Sequence, residues 1–172
     1  MDINEQLLCM TSNINIRIKP LLDQDFVPAV LWNQAYLQEA GETTNATEVA
    51  IALRRPDQTC TVFHTKVLPL GGSNDKLTLR YLERVLKFLL WQRGGSEILV
   101  AGCDAMVGEL EKIYSPHGAR AFDHNFFGEK VYRSALKITA CSVEDLPIEN
   151  ETSMPLGRHL DGCRIGFDLG GS

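Results

Sequence analysis

The sequence contains no apolar run long enough to span a bilayer. A transmembrane helix needs roughly 18 or more consecutive apolar residues, and the longest such stretch here, Val85 to Trp91, is broken by Lys87. The N-terminal residues do not look like a basic, apolar leader either. Met1-Asp2-Ile3-Asn4-Glu5 is acidic and polar, unlike a secretory signal. No Cys-x-x-Cys pair occurs among Cys9, Cys60, Cys103, Cys141 and Cys163. Their odd number and scattered spacing argue against both a disulfide framework and a zinc ribbon. Free, mostly buried thiols in a reducing cytoplasm are the expectation. The triplets Asn45-Ala46-Thr47 and Asn150-Glu151-Thr152 are then polar loops and not glycosylation sites. Basic excess is missing as well. Seventeen Lys and Arg stand against 22 Asp and Glu, for a net charge of −5. Broad phosphate-backbone binding needs a basic face, so the overall charge predicts no nucleic-acid partner, while leaving room for a local basic patch. No internal repeat or low-complexity tract is visible.

What is present is a globular composition. With 172 residues, 44% apolar and 23% charged, the chain fits one ordinary domain with a short appendage. Ile14, Ile16 and Ile18 alternate with polar residues and predict a short strand before Pro20. A helix is expected from about Pro28 to Ala40, with Pro28 in its first turn and Gly41 past its end. Val49, Ile51 and Leu53 alternate with other residues, Arg55-Pro56-Asp57-Gln58 supplies turn chemistry, and Thr59 to Leu68 is rich in β-branched residues. This predicts a β-hairpin over 47–68.

Leu77 to Gln92 carries an apolar stripe of Leu79, Leu82, Val85, Leu86 and Leu89, and closes at Gly94-Gly95. It predicts an amphipathic helix. Glu97 to Ala101 predicts a strand, Asp104 to about Tyr114 a second helix, and Ala135 to Cys141 another strand. The fold class expected is α/β, or α+β: a small mixed-sheet domain with helices over residues 1–141.

Residues 142–161 hold Pro147, Pro155, Gly157 and several acids, with little apolar pattern, and predict a linker. Beyond it, Cys163, Ile165 and Phe167 alternate as in a strand that ends in Asp168-Leu169-Gly170-Gly171-Ser172. Two glycines after a strand allow a tight turn and close approach of backbone N–H groups to phosphate oxygens. A serine hydroxyl adds a donor, and an aspartate can hold magnesium through its waters.

Ile165-Gly166-Phe167-Asp168-Leu169-Gly170-Gly171-Ser172 resembles the first phosphate motif of the actin-like ATPase and sugar-kinase superfamily, and within it the ROK group (repressors, open reading frames and sugar kinases). The resemblance covers some ten residues. It implies ATP and Mg as cofactors of the intact protein and a sugar as its substrate. It also implies a magnesium-side role for Asp168, a phosphate turn at Gly170 and Gly171, and a phosphate contact from Ser172. Residues 162–172 would open the kinase domain. The second phosphate loop, the adenosine loop, the catalytic Asp and the Cys/His zinc cluster of that group have no match in residues 1–162. The expectation is therefore an N-terminal fragment without catalytic residues of its own. The alternative is a stand-alone, non-enzymatic binding module with an incidental Gly-Gly-Ser tail.

Other chemistry in residues 1–141 reads as structural, and no metal site is expected there. His117 and His124 flank Asp123 near Arg120 and Glu129, but at no common ligand spacing. Cys60 and His64 fall on one face of a predicted strand, where a nucleophile pair would also need an orienting group. Gly102-Cys103-Asp104 reads as a tight turn with Asp104 as cap, and Gly71-Gly72-Ser73 as a turn whose donors Asn74 and Asp75 take. Trp32, Trp91, Phe126 and Phe127 are expected in the core or at an interface, with few basic neighbours for a nucleic-acid platform.

Overall fold

The computed structural model describes residues 14, 16–18, 20–23, 26–151 and 162. Its elements, in chain order, are α1 (Ala29–Glu42), β1 (Thr47–Arg54), β2 (Cys60–Val67), α2 (Asp75–Arg93), β3 (Glu97–Ala101), α3 (Asp104–Ile113), α4 (Ala121–Asn125), a π-helical turn (Phe126–Tyr132) and β4 (Lys137–Cys141). The four strands form one mixed sheet in the order β2-β1-β3-β4. β1 pairs antiparallel with β2 and with β3, and β3 pairs parallel with β4. The chain is thus a mixed α/β domain.

The hairpin explains the centre of the sheet. Its turn is closed by Arg55 N–H to the Thr59 carbonyl and Gln58 N–H to the Arg55 carbonyl, both at 2.9 Å. Asp57 fixes the corner, its carboxylate accepting from the Thr59 N–H at 3.0 Å and the Thr59 hydroxyl at 2.6 Å. Those bonds hold the Asp57 carboxyl below its ordinary range. β1 is buried on both faces. Val49, Ile51 and Leu53 join the helix-side core, while Ala50 and Ala52 face the other way.

α1 and α2 cover one face of the sheet. Pro28 precedes the first turn of α1, where its missing N–H costs nothing. Trp32, Tyr36 and Ala40, four residues apart, form its buried stripe. The Tyr36 ring stacks on Trp32 (5.6 Å between centroids) and on Tyr81 of α2 (4.5 Å). Its hydroxyl lies 2.7 Å from Thr78 Oγ1 and accepts from the Leu68 N–H at 3.1 Å. α2 buries Leu77, Tyr81, Leu82, Val85, Leu86, Leu89 and Leu90, a helical stripe that supplies much of the core. Gly94, at φ 72°, ends it.

Gly102, at φ +87°, carries β3 into α3 so close to β1 that a Cβ would overlap the Glu48 carbonyl oxygen. Only glycine meets both demands.

Two expectations change. Residues 14 and 16–18 lie outside any strand, and Ile18 is 88% exposed, so the alternation there has no core face to bury. Gly41 lies inside α1, which runs on to Glu42 and closes where the Thr43 N–H and hydroxyl both reach the Glu39 carbonyl. Among the described residues no helix is long and apolar enough to cross a membrane.

Candidate functional site

The sheet's second face is the less covered one. Cross-strand register places Lys66 beside Glu48, and lines up His64, Ala50, Ala101 and Cys141 in one row. Residues 142–151 run across this face from the end of β4 to the start of β2. At the near end, the Ser142 hydroxyl donates to Asp145 at 2.8 Å. At the far end, Asn150 accepts the Cys60 N–H through Oδ1 at 2.6 Å and donates to the Gln58 carbonyl through Nδ2 at 3.2 Å. Glu151 accepts from the Thr61 hydroxyl and lies between Arg55 (3.7 Å) and Arg93 (3.6 Å). The described part of the expected linker is therefore a strap tied at both ends.

Under the strap lies a cavity of about 270 Å³. Ala50 and Ala101 form its floor, Val143 and Leu146 its lid, and Glu48, His64 and Lys66 its polar side. Small floor residues create the space, since a leucine at either position would fill it. The volume is a little under the roughly 300–1,000 Å³ usual for drug-sized ligands. Apolar walls with a carboxylate, an imidazole and an ammonium on one side suit a small amphipathic molecule. Glu48 and Lys66 pair at 3.4 Å, both largely exposed, so that pair orients more than it stabilises.

Among the described residues that line the cavity there is no cysteine or serine. Cys60 shares the face of His64, but four residues of strand at about 3.4 Å each separate them by roughly 13 Å. Burial also pushes the Cys60 thiol up, away from reactive thiolate, and its Sγ contacts the Thr61 carbonyl at 3.8 Å.

The other residues singled out by sequence have structural partners. Asp123, buried at 2% exposure, accepts the Trp91 indole N–H at 2.7 Å. Arg120 donates to Glu83 at 2.6 Å, and His124 Nδ1 lies 2.7 Å from the Tyr114 carbonyl oxygen. Together they dock α4 on α2 and α3. His117 and Glu129 are exposed and stand apart from that network. Among the described residues no three His, Cys, Asp or Glu side chains are grouped so as to hold a metal.

Cys103, not Asp104, occupies the cap position of α3. Burial, with Asp104 alongside, pushes its thiol up to about 12. At Gly71-Gly72-Ser73, the Gly71 N–H goes to the Asp75 carboxylate at 2.9 Å, so the chain's own acid occupies that donor. Asp168, Gly170, Gly171 and Ser172 lie outside the described residues.

Compared with protein-family models, with curated proteins and with solved structures, the chain matches none. The cavity was not foreseen from sequence. Its one signal was the pair Ala50 and Ala52, small residues alternating with the apolar ones of β1, which marks a strand with something lying close on its second face.

Proposed function

We propose that the chain carries the opening phosphate motif of a ROK-type, ATP- and magnesium-dependent sugar kinase-like protein, preceded by an accessory α/β domain. The observation that carries this reading is the run from Ile165 to Ser172. In it Asp168 would hold magnesium through a bound water, Gly170 and Gly171 would let backbone N–H groups approach phosphate, and Ser172 would donate to a phosphate oxygen. ATP with its metal supplies the phosphoryl group, and the acceptor is a hexose or amino-hexose hydroxyl. In the accessory domain, Asp123 and His124 are engaged in tertiary contacts. Cys163 lies twelve positions beyond Glu151, which is tied to Arg55 and Arg93. At about 3.3–3.6 Å per residue, that tether reaches at most roughly 43 Å.

The test uses the complete gene product with magnesium-ATP and a panel of hexoses and amino-hexoses. The expected result is sugar-dependent ADP release that Asp168→Asn lowers by about a hundredfold or more, the scale on which single charge-stabilising groups act. A complete product that neither binds magnesium-ATP nor releases ADP would overturn the reading.

A second reading, a non-enzymatic binding module, is favoured by the cavity under the strap. On that reading the domain alone binds a small amphipathic ligand from a fragment screen, and Ala50→Leu abolishes the binding.

A further inference from the structure

α2 carries a second surface feature that the kinase-type reading leaves unused. Lys76, Arg80, Arg84, Lys87 and Trp91 follow one another at spacings of four, four, three and four residues, which places them along one face of the helix. Among the described residues none of the four cations has an ion-pair partner. The one acid on that side of the helix, Glu83, is held by Arg120 at 2.6 Å. Arg80 and Arg84 both lean on the Trp32 ring, at 5.4 and 5.2 Å from its centroid. That contact fixes their positions without neutralising them. Arg84 is half-buried, and its Nη1 is enclosed with no hydrogen-bond partner. Burial first, and Arg80 next, disfavour its charge.

The stripe ends on exposed aromatic rings. Trp91 is 50% exposed and Phe122 68% exposed. Their planes lie within 2° of each other, and Phe126 lies within 11° of both. The Trp91 indole is locked by its bond to the buried Asp123 carboxylate, so this ring is a preformed stacking surface. From Lys76 to Trp91 the face runs about 22 Å, at 1.5 Å per residue.

A row of uncompensated cations that ends on rigid, exposed rings has the two components of single-strand recognition: charge that tracks a phosphate backbone and a flat π surface for a base. We propose that the outer face of α2 binds a short single-stranded nucleic acid, its phosphates on Lys76, Arg80, Arg84 and Lys87 and a base on Trp91 and Phe122. Charge complementarity selects this occupant. A neutral apolar partner would leave the cations unpaired, and a duplex would keep its bases stacked inside. The length of the face exceeds what one mononucleotide needs and suits a site of about four nucleotides, the low end for such proteins. The net charge of −5 does not oppose this, because the basic residues are concentrated on one helix face.

The test is fluorescence anisotropy of labelled 12-mers of dT and U with the complete chain. Saturable binding is expected at 50 mM salt. With four phosphates neutralised and a slope of about −0.7 per phosphate, affinity falls about 50-fold between 50 and 200 mM. Lys87→Glu and Arg80→Glu each weaken binding about tenfold. Phe122→Ala, at an exposed ring, weakens it at least about fivefold, the lower end for one stacked base. Lys137→Glu, at an exposed position of β4, changes nothing. Circular dichroism checks that each variant remains folded. The proposal is overturned by no binding at 100 µM (on the order of the weakest non-specific affinities), or by binding indifferent to Lys87→Glu and Phe122→Ala together. It is equally overturned if a duplex 12-mer binds as tightly, or if ATP displaces the strand with the strand's own affinity.

Discussion

Asn150 brackets Cys60 across ninety residues of sequence: its side-chain oxygen accepts the Cys60 N–H at 2.6 Å, and its own N–H donates to the Cys60 carbonyl at 3.1 Å. This pair anchors the strap to the outer edge of β2 and so closes the cavity over Ala50. Asn150→Ala is expected to cost about 1–2 kcal/mol, since a partly buried backbone donor loses its partner. Amide hydrogen exchange at Cys60 should accelerate more than at Ile51, in the middle of the sheet. Equal acceleration at both would show that the strap is not a separate unit.

The Tyr36 hydroxyl serves two partners, Thr78 Oγ1 and the Leu68 N–H, both in the buried seam between α1 and the rest of the domain. Tyr36→Phe keeps the ring stack but strands those two groups. The expected loss is about 1–3 kcal/mol by chemical denaturation. A loss close to zero would mean that water replaces the hydroxyl.

Two glycines should respond to alanine in opposite directions. Gly102 combines φ +87° with a Cβ position against the Glu48 carbonyl, whereas Gly108, inside α3, has open space around it. Gly102→Ala is expected to cost about 2–4 kcal/mol through strain and backbone displacement. Gly108→Ala is expected to gain about 0.5–1 kcal/mol from helix propensity. Paired thermal melts read both.

Alkaline pH should weaken the fold in a defined window. The Cys103 thiol is raised by burial from an ordinary value near 9 to about 12. Between those values the unfolded chain has lost the proton that the folded chain keeps. Stability from this group is therefore complete below about pH 9 and declines as pH rises toward 12. Burial raises Tyr36 and Tyr81 as well, so they steepen the decline above their ordinary value of 10.0. Melting temperature against pH should bend down near pH 9, and Cys103→Ala should move the bend upward. Native Cys103 should also resist alkylation at pH 8 and react once denaturant is added.

The elements legible in the sequence are those whose side-chain period is long and uninterrupted. The 75–93 helix announces itself through Leu82, Val85, Leu86 and Leu89, and the hairpin through Val49, Ile51 and Leu53 with a Pro-Asp turn. α4 has five residues, too few to display a period, and its place is set by Asp123, Arg120 and His124 reaching α2 and α3. The strap has no apolar pattern, because polar bonds from Asn150 and Glu151 position it. Those bonds depend on tertiary proximity that sequence spacing does not contain. The basic stripe was in principle visible, as Lys76, Arg80, Arg84 and Lys87 keep helical spacing. The apolar stripe dominates the pattern of the same helix, and the link of the basic stripe to Phe122 exists only in the folded chain.

The central claim is that the run from Ile165 to Ser172 opens a sugar kinase-like domain, and the most direct measurement is the reading frame 3′ of the Ser172 codon. The account predicts an open frame that continues into the second strand of the phosphate hairpin, then a later phosphate loop and a catalytic aspartate. A stop codon directly after Ser172 would contradict it, and the binding surfaces of residues 26–151 would then have to carry the function alone.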